Sequence, residues 1–172
     1  LGTDPQGRDL LSAIFYGLRI SIQIGLAAGF VSLTVGTALG IAAAYLGGRV
    51  EALIMRLVDL QLSFPAILLA LVIVALLGQG KVQLIGALVA AQYAYFARTA
   101  YGAAKAERGK DYIEAALATP LSGRLVVWRH LLPNCAPPLI VVATVQIANS
   151  ISLEATLSFL GLGLPVTEPS LG

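Results

Sequence analysis

The chain has 172 residues, of which 58% are apolar and 12% charged, with a net charge of +2 and a mean hydropathy of +0.85. A soluble domain carries about 25% charged residues, so composition argues against an ordinary soluble domain, against disorder and against a nucleic-acid partner. One Cys and one His exclude an internal disulfide and a His/Cys metal cluster.

What remains is a membrane protein with several spans. The charged residues are clustered and leave four charge-free stretches, residues 20–48, 60–80, 82–97 and 131–153. About 20 apolar residues cross roughly 30 Å of hydrocarbon, so spans are expected near 21–46, 60–78, 83–104 and 136–158. Backbone groups in lipid need partners within their own segment, so the spans should be helices; no alternating ten-residue pattern of a β-barrel occurs. A very hydrophobic soluble helical core is the alternative, which four such stretches make hard to sustain.

The residues before the first span hold Asp4, Pro5, Arg8 and Asp9 and do not form a signal peptide. Arg8 and Asp9 are expected to stabilise this outer segment. In the first span Gly25, Gly29, Gly36 and Gly40 share an arc of roughly 60° at 100° per residue. Two small-xxx-small pairs result, and a stripe without Cβ atoms lets a second helix approach closely. Glycine is also simply common in membrane helices. The stripe could join spans of one chain or two subunits.

Between the first two spans, Asp59 follows Arg56 at helical spacing and reads as a cytoplasmic surface pair rather than a proton relay. The third span takes in Arg98, close enough to an end to snorkel. Its Gln92, Tyr93 and Tyr95 could face a pore, although Tyr is also usual at membrane interfaces.

Residues 98–135 hold nine charged residues, the largest hydrophilic segment of the chain. Asp111 and Glu114 have capping-box spacing. Ala115, Ala116 and Ala118 continue a helix, which Pro120 should stop after about two turns. An apolar segment with Leu125, Val126, Val127, Trp128, Leu131 and Leu132 follows and is expected to end at Pro133, with Pro137-Pro138 leading into the last span. A short helix of small side chains suits docking into a partner's groove, with Glu114 meeting a basic residue; a plain membrane-surface connector is equally compatible.

The last span carries Gln146, Asn149 and Glu154, and Thr144, as a polar lining or as interhelical bonding groups. Glu154, the one acid deep in this span, either lines a substrate path, or lies near the outer interface or bonds to Ser150, Ser158 or a neighbouring helix, and the second reading is preferred. The tail holds Gly161, Gly163, Pro165, Pro169 and Gly172 with no closing element, and the chain starts with Leu1, so further spans at one or both ends are expected. With four spans, Arg49, Arg56, Arg98, Lys105, Arg108, Lys110, Arg124 and Arg129 lie on one side, against Arg8, Arg19 and Lys81 on the other. Eight against three places loop 98–135 in the cytoplasm.

Several segments together resemble one family. Glu114-Ala115-Ala116, followed after sixteen positions by Pro133, is similar to the E-A-A-x3-G-x9-I-x-L-P loop of ABC-transporter permeases, and Leu132-Pro133 match its L-P. Arg129-His130-Leu131-Leu132-Pro133-Asn134 resembles the R-H-I-L-P-N version of the dipeptide/oligopeptide/nickel branch. Residues Leu1 to Asp9 resemble that branch's G-T-D-x-x-G-R-D; Met55-Arg56-Leu57-Val58-Asp59 with Ser63-Phe64-Pro65 resembles M-R-x-x-D…S-F-P; and Leu157 to Gly163 resembles L-S-F-L-G-L-G. The five matches are in order and cover the chain from end to end.

The resemblance implies an all-α polytopic membrane bundle of the ABC-importer permease type, a single transmembrane domain over 1–172 that lacks the first and last of six spans. It implies that about 105–135 is the coupling loop, in which Glu114, Ala115 and Ala116 dock a cytoplasmic ATP-binding subunit, while His130, Leu132 and Pro133 fix the return to the membrane. It also implies a second permease subunit, an extracytoplasmic solute-binding protein and a bacterial inner-membrane location, with lipid around the spans. Pro120 stands where the family has Gly and Thr119 where it has Leu; proline cannot take the positive φ open to glycine, so the turn differs in shape. Leu171 replaces the branch's usual Trp.

No phosphate loop, H-E-x-x-H or G-x-S-x-G occurs. The chain is expected to bind no cofactor or metal and to be no enzyme, ATP and Mg being held by a partner. The expected function is import of di- or oligopeptides, or of nickel or another small solute, by alternating access. The rivals are an ion-coupled secondary carrier and a non-transporting membrane scaffold.

Overall fold

The computed structural model describes residues 2, 9–111, 113 and 123–164, and no strand occurs among them. The helices are α1 (Leu10–Leu46), α2 (Gly48–Leu62), α3 (Ala66–Leu77), α4 (Lys81–Arg108), a short α5 (Gly123–Val126), a π-helical turn (Val127–Leu131) and α6 (Leu132–Phe159). Asp9 caps α1: its carboxylate accepts from the Ser12 N–H at 3.0 Å and the Ser12 hydroxyl at 2.6 Å. These two donors hold the Asp9 carboxyl below its ordinary value, the hydroxyl more than the amide. At the other end Gly47 and Gly48 take φ of 67° and 56°. Left-handed φ at two successive residues suits glycine and allows a one-residue connection to α2.

The expected second span, 60–78, is not one straight helix. Within it the chain breaks between α2 and α3. Ser63 closes α2, its hydroxyl and its N–H both donating to the Asp59 carbonyl at 2.8 and 3.1 Å. Pro65, at φ −58° and ψ 126°, starts α3. Proline disfavours helical backbone at the residue before it, which a count of charges does not register.

The last helix departs in the opposite sense. The apolar segment does not stop at Pro133, because the π-helical turn runs directly into α6, with Pro137 and Pro138 inside the helix. The Leu132 N–H donates five residues back to the Val127 carbonyl. A proline ring collides with the carbonyl four residues earlier, here that of Arg129. The wider turn spans that residue and lets the helix continue.

Among the described residues, two helical stretches are long and apolar enough to cross a membrane, Leu10–Leu46 and Val127–Phe159, with the bent pair α2–α3 as a third candidate. The count of four expected from the charge gaps is not reached on this measure. The missing one is α4, which is long but carries Gln83, Gln92, Tyr93, Tyr95, Arg98 and Thr99. Its Leu84, Leu88, Gln92 and Phe96 are fully buried, so much of α4 faces protein and need not be as apolar as a lipid-facing helix.

The chain divides into two compact units. In one, formed by the described residues of Leu1–Val31, Pro65–Ala91 and Val145–Gly172, the core consists of Ile24 and Ala28 of α1, Ala70 and Val74 of α3, Leu84, Ala87, Leu88 and Ala91 of α4, and Leu157 of α6. In the other, formed by the described residues of Ser32–Phe64 and Gln92–Thr144, one cluster joins Ile41, Ala44, Phe96, Ala100, Ala104, Cys135 and Leu139. A second joins Ala43, Met55, Val58, Ala94 and Ala97. Alanine is the commonest residue in both cores, which suits close helix approach. Large apolar residues remain outside: α3 exposes Leu68, Val72 and Leu76 in one row, and α6 exposes Ile140, Val141 and Val145. Such rows fit a hydrocarbon environment and would be a liability in water.

Candidate functional site

The informative surface lies where α4 ends and the chain returns through α5. Four cations in the last turns of α4 and just beyond it are tied down. Arg98 donates to Asp59 at 2.6 Å, both side chains being about half exposed at 54% and 52%. The Asp59 carboxylate thus pairs with Arg98 on α4, 39 residues away, and not with Arg56 as its spacing suggested; Arg98 is held by α2 and does not simply snorkel. Lys105 and the Tyr101 hydroxyl both donate to Glu51. Lys110 pairs with Glu107 at 2.8 Å. Arg108 donates from Nη1 to the carbonyls of Ala44 at 2.7 Å and Tyr45 at 3.0 Å. These are last-turn carbonyls of α1, which have few intrahelical donors and attract a cation.

Of the expected coupling residues, Glu114, Ala115, Ala116 and Pro120 lie outside the described residues, and so does the capping box they would form with Asp111. The return is described. His130 is half-buried on the π-helical turn, and its carbonyl accepts from Asn134 Nδ2 at 2.7 Å. Leu131 is buried with Ile113 and Val126, and Tyr45 and Val127 pack against this cluster. Leu132 packs on the Phe96–Cys135 cluster, while Pro133 is exposed.

All four glycines of the stripe meet a helix of this same chain. Within the first unit a Cβ at Gly25 would lie 2.6 Å from Ile151 Cγ1, and one at Gly29 2.6 Å from Ile147 Cγ1, both on α6. Within the second unit the neighbour is α4, and its backbone is the obstacle. A Cβ at Gly36 would lie 2.5 Å from Phe96 Cβ and closer still to the Tyr93 carbonyl; one at Gly40 would lie 2.8 Å from Ala100 Cβ and from the Tyr101 N, and closer still to the Ala97 carbonyl.

The candidate path residues fall in both units. Gln92 is buried in the second unit; Gln146, Asn149 and Glu154 belong to the first, with Gln146 and Glu154 buried and Asn149 exposed. Asn149 Nδ2 donates to Gln146 Oε1 at 3.0 Å. Glu154, with no exposed surface, accepts from the Ser21 hydroxyl of α1 at 2.7 Å and from the Ser158 hydroxyl at 2.9 Å. Ser158 was readable as an i+4 neighbour, whereas Ser21 was not, being 133 residues away. Among the described residues no group of three His, Cys, Asp or Glu could hold a metal ion.

The chain matches the family described as binding-protein-dependent transport system inner membrane component over residues 36–172. It is 39% identical over 172 residues to a di/tripeptide transport system permease protein of Pseudomonas aeruginosa, with 100% of this chain and 57% of that protein aligned. It is 38% identical over 171 residues to a dipeptide transport system permease protein of Alkalihalophilus pseudofirmus, with 99% of this chain and 56% of that one aligned. The chain therefore spans little more than half the length of these relatives. Its fold is similar to that of a chain in an inward-facing methionine ABC transporter, with a TM-score of 0.68 at 21% identity, covering 88% of this chain and 77% of that chain. This chain belongs to the binding-protein-dependent transport system inner membrane component family.

Proposed function

We propose that the full-length protein imports di- or oligopeptides across a bacterial inner membrane, as one of two permease subunits driven by separate ATP-binding subunits. The observation that carries this reading is the family match over residues 36–172 together with peptide-transport relatives aligned along the whole chain. Cargo arrives from an extracytoplasmic solute-binding protein. Loop 98–135 faces the cytoplasm, and Glu114, Ala115 and Ala116 dock the ATPase, whose closure on ATP and Mg switches the spans between inward- and outward-open states.

An ion-coupled carrier needs ionisable groups that change partners within the membrane. The only deep acid of the last span, Glu154, is enclosed with two serine hydroxyls, which supports a packing role. The test is ATP-dependent uptake of a labelled dipeptide into vesicles containing the full-length protein, with and without the cognate ATPase. Uptake should require the ATPase, and Glu114→Lys should abolish both association and uptake; if both persist in that variant, the docking assignment is wrong.

A further inference from the structure

We infer that Tyr45 and Arg108 are positioning residues that hold the two ends of the coupling loop against the end of α1, and that Gly123 is glycine because Tyr45 occupies the space of its side chain. The inference rests on the reading of this loop as the ATPase-docking segment.

The geometry is confined to one unit. Tyr45 is the penultimate residue of α1. Its ring packs against the cluster of Ile113, Val126 and Leu131, and those residues come from both sides of the loop. The Arg108 guanidinium lies over the same ring, 5.9 Å from its centroid, at the outer range of cation–π attraction. It also donates to the backbone carbonyls of Ala44 and Tyr45. The last residue of α4 thus closes the last turn of α1 and steadies the Tyr45 ring in a single arrangement. A Cβ at Gly123 would lie 3.0 Å from Tyr45 Cζ, 3.5 Å from Cε1 and closer still to the hydroxyl oxygen. The ring has little freedom to retreat, since Arg108 and the apolar cluster occupy its sides. Displacement of the loop at Gly123 or Ile113 is therefore passed through Tyr45 to α1. A lysine at 108 has one compact ammonium; it can keep a carbonyl bond but not the planar stacking.

The experiment uses the full-length permease assembled with its ATPase and second permease subunit, reconstituted in vesicles, with dipeptide uptake and ATP hydrolysis measured on the same sample. Gly123→Ala should leave subunit association intact and lower uptake per ATP by about two- to thirty-fold, the range found for coupling through packed side chains. Tyr45→Phe alone should behave as wild type, and Gly123→Ala/Tyr45→Phe should recover uptake per ATP, because the oxygen nearest the added methyl is gone. Arg108→Lys should fall between wild type and Arg108→Ala. The inference is overturned if Gly123→Ala leaves uptake per ATP unchanged, or if Tyr45→Phe fails to relieve its loss. If the wild-type chain does not associate with the ATPase at all, it is the docking reading that falls, a separate result read before any variant is compared.

Discussion

Replacing Gly40 with alanine puts a methyl group against the backbone of α4. The nearest side-chain and amide atoms, Ala100 Cβ and Tyr101 N, would each be 2.8 Å away, where non-bonded heavy atoms rest at about 3.5–4.0 Å. Neither these atoms nor the Ala97 carbonyl can rotate aside, so α1 and α4 must part by about 1 Å. Overpacking of this kind costs about 1–3 kcal/mol, and separating the helices also loosens Ala43, Ala94 and Ala97, which are buried together. Alanine returns about 1 kcal/mol of helix propensity. A net loss of about 1 kcal/mol results, a midpoint lowered by about 2–4 °C for a chain of this length. Gly25→Ala is the internal control: its obstacle is Ile151 Cγ1, part of a side chain that can change rotamer, and the propensity gain should roughly cancel the contact. Cys135 is fully buried beside Ala100 and Ala104, so thermal unfolding of the detergent-purified protein can be followed by its reaction with a thiol-activated fluorophore. Equal midpoints for the Gly40 and Gly25 variants, or a Gly40 variant at or above wild type, would refute the reasoning.

Two further outcomes are expected. Glu154→Leu leaves the Ser21 and Ser158 hydroxyls without their acceptor and should cost about 1–3 kcal/mol for each buried donor left unpaired; Ser21→Ala added to Glu154→Leu should raise the midpoint again, as a double-mutant cycle by the same thiol assay will show. Asp9→Ala removes the cap of α1. Because the Asp9 carboxyl is held below its ordinary value in the folded protein, its contribution is present above the unfolded carboxylate value and is lost as pH falls through the folded one. The variant should therefore melt below wild type at neutral pH, and the two melting curves should converge in acid.

The helical class and approximate limits of the long helices were legible because charge is excluded from hydrocarbon whatever the tertiary structure. Proline was misjudged in both directions, for different reasons. Pro65 sits inside a charge-free stretch that was read as one span, yet it carries the local signal of a break. Pro133, Pro137 and Pro138 carry the same signal, yet the helix continues through all three, with a π-helical turn making room at Pro133. The geometry of Val127–Leu131 separates Pro133 from Pro65, and sequence spacing does not encode it. Partners were legible when local: Ser158 is one turn from Glu154. The pairing of Asp59 with Arg98, of Glu51 with Lys105 and of Arg108 with the end of α1 depends on which helix faces which. The glycine stripe announced close approach. That its first half meets flexible isoleucines and its second half rigid backbone was not available from the stripe itself.

The run of prolines at the start of α6 has a mechanical consequence. Three positions in two successive turns, Pro133, Pro137 and Pro138, lack an amide hydrogen, so the cylinder is missing rungs on the stretch where it joins the π-helical turn. A rod weakened at one end flexes there first. Bending over residues 133–138 therefore meets fewer backbone hydrogen bonds than bending of a helix without proline.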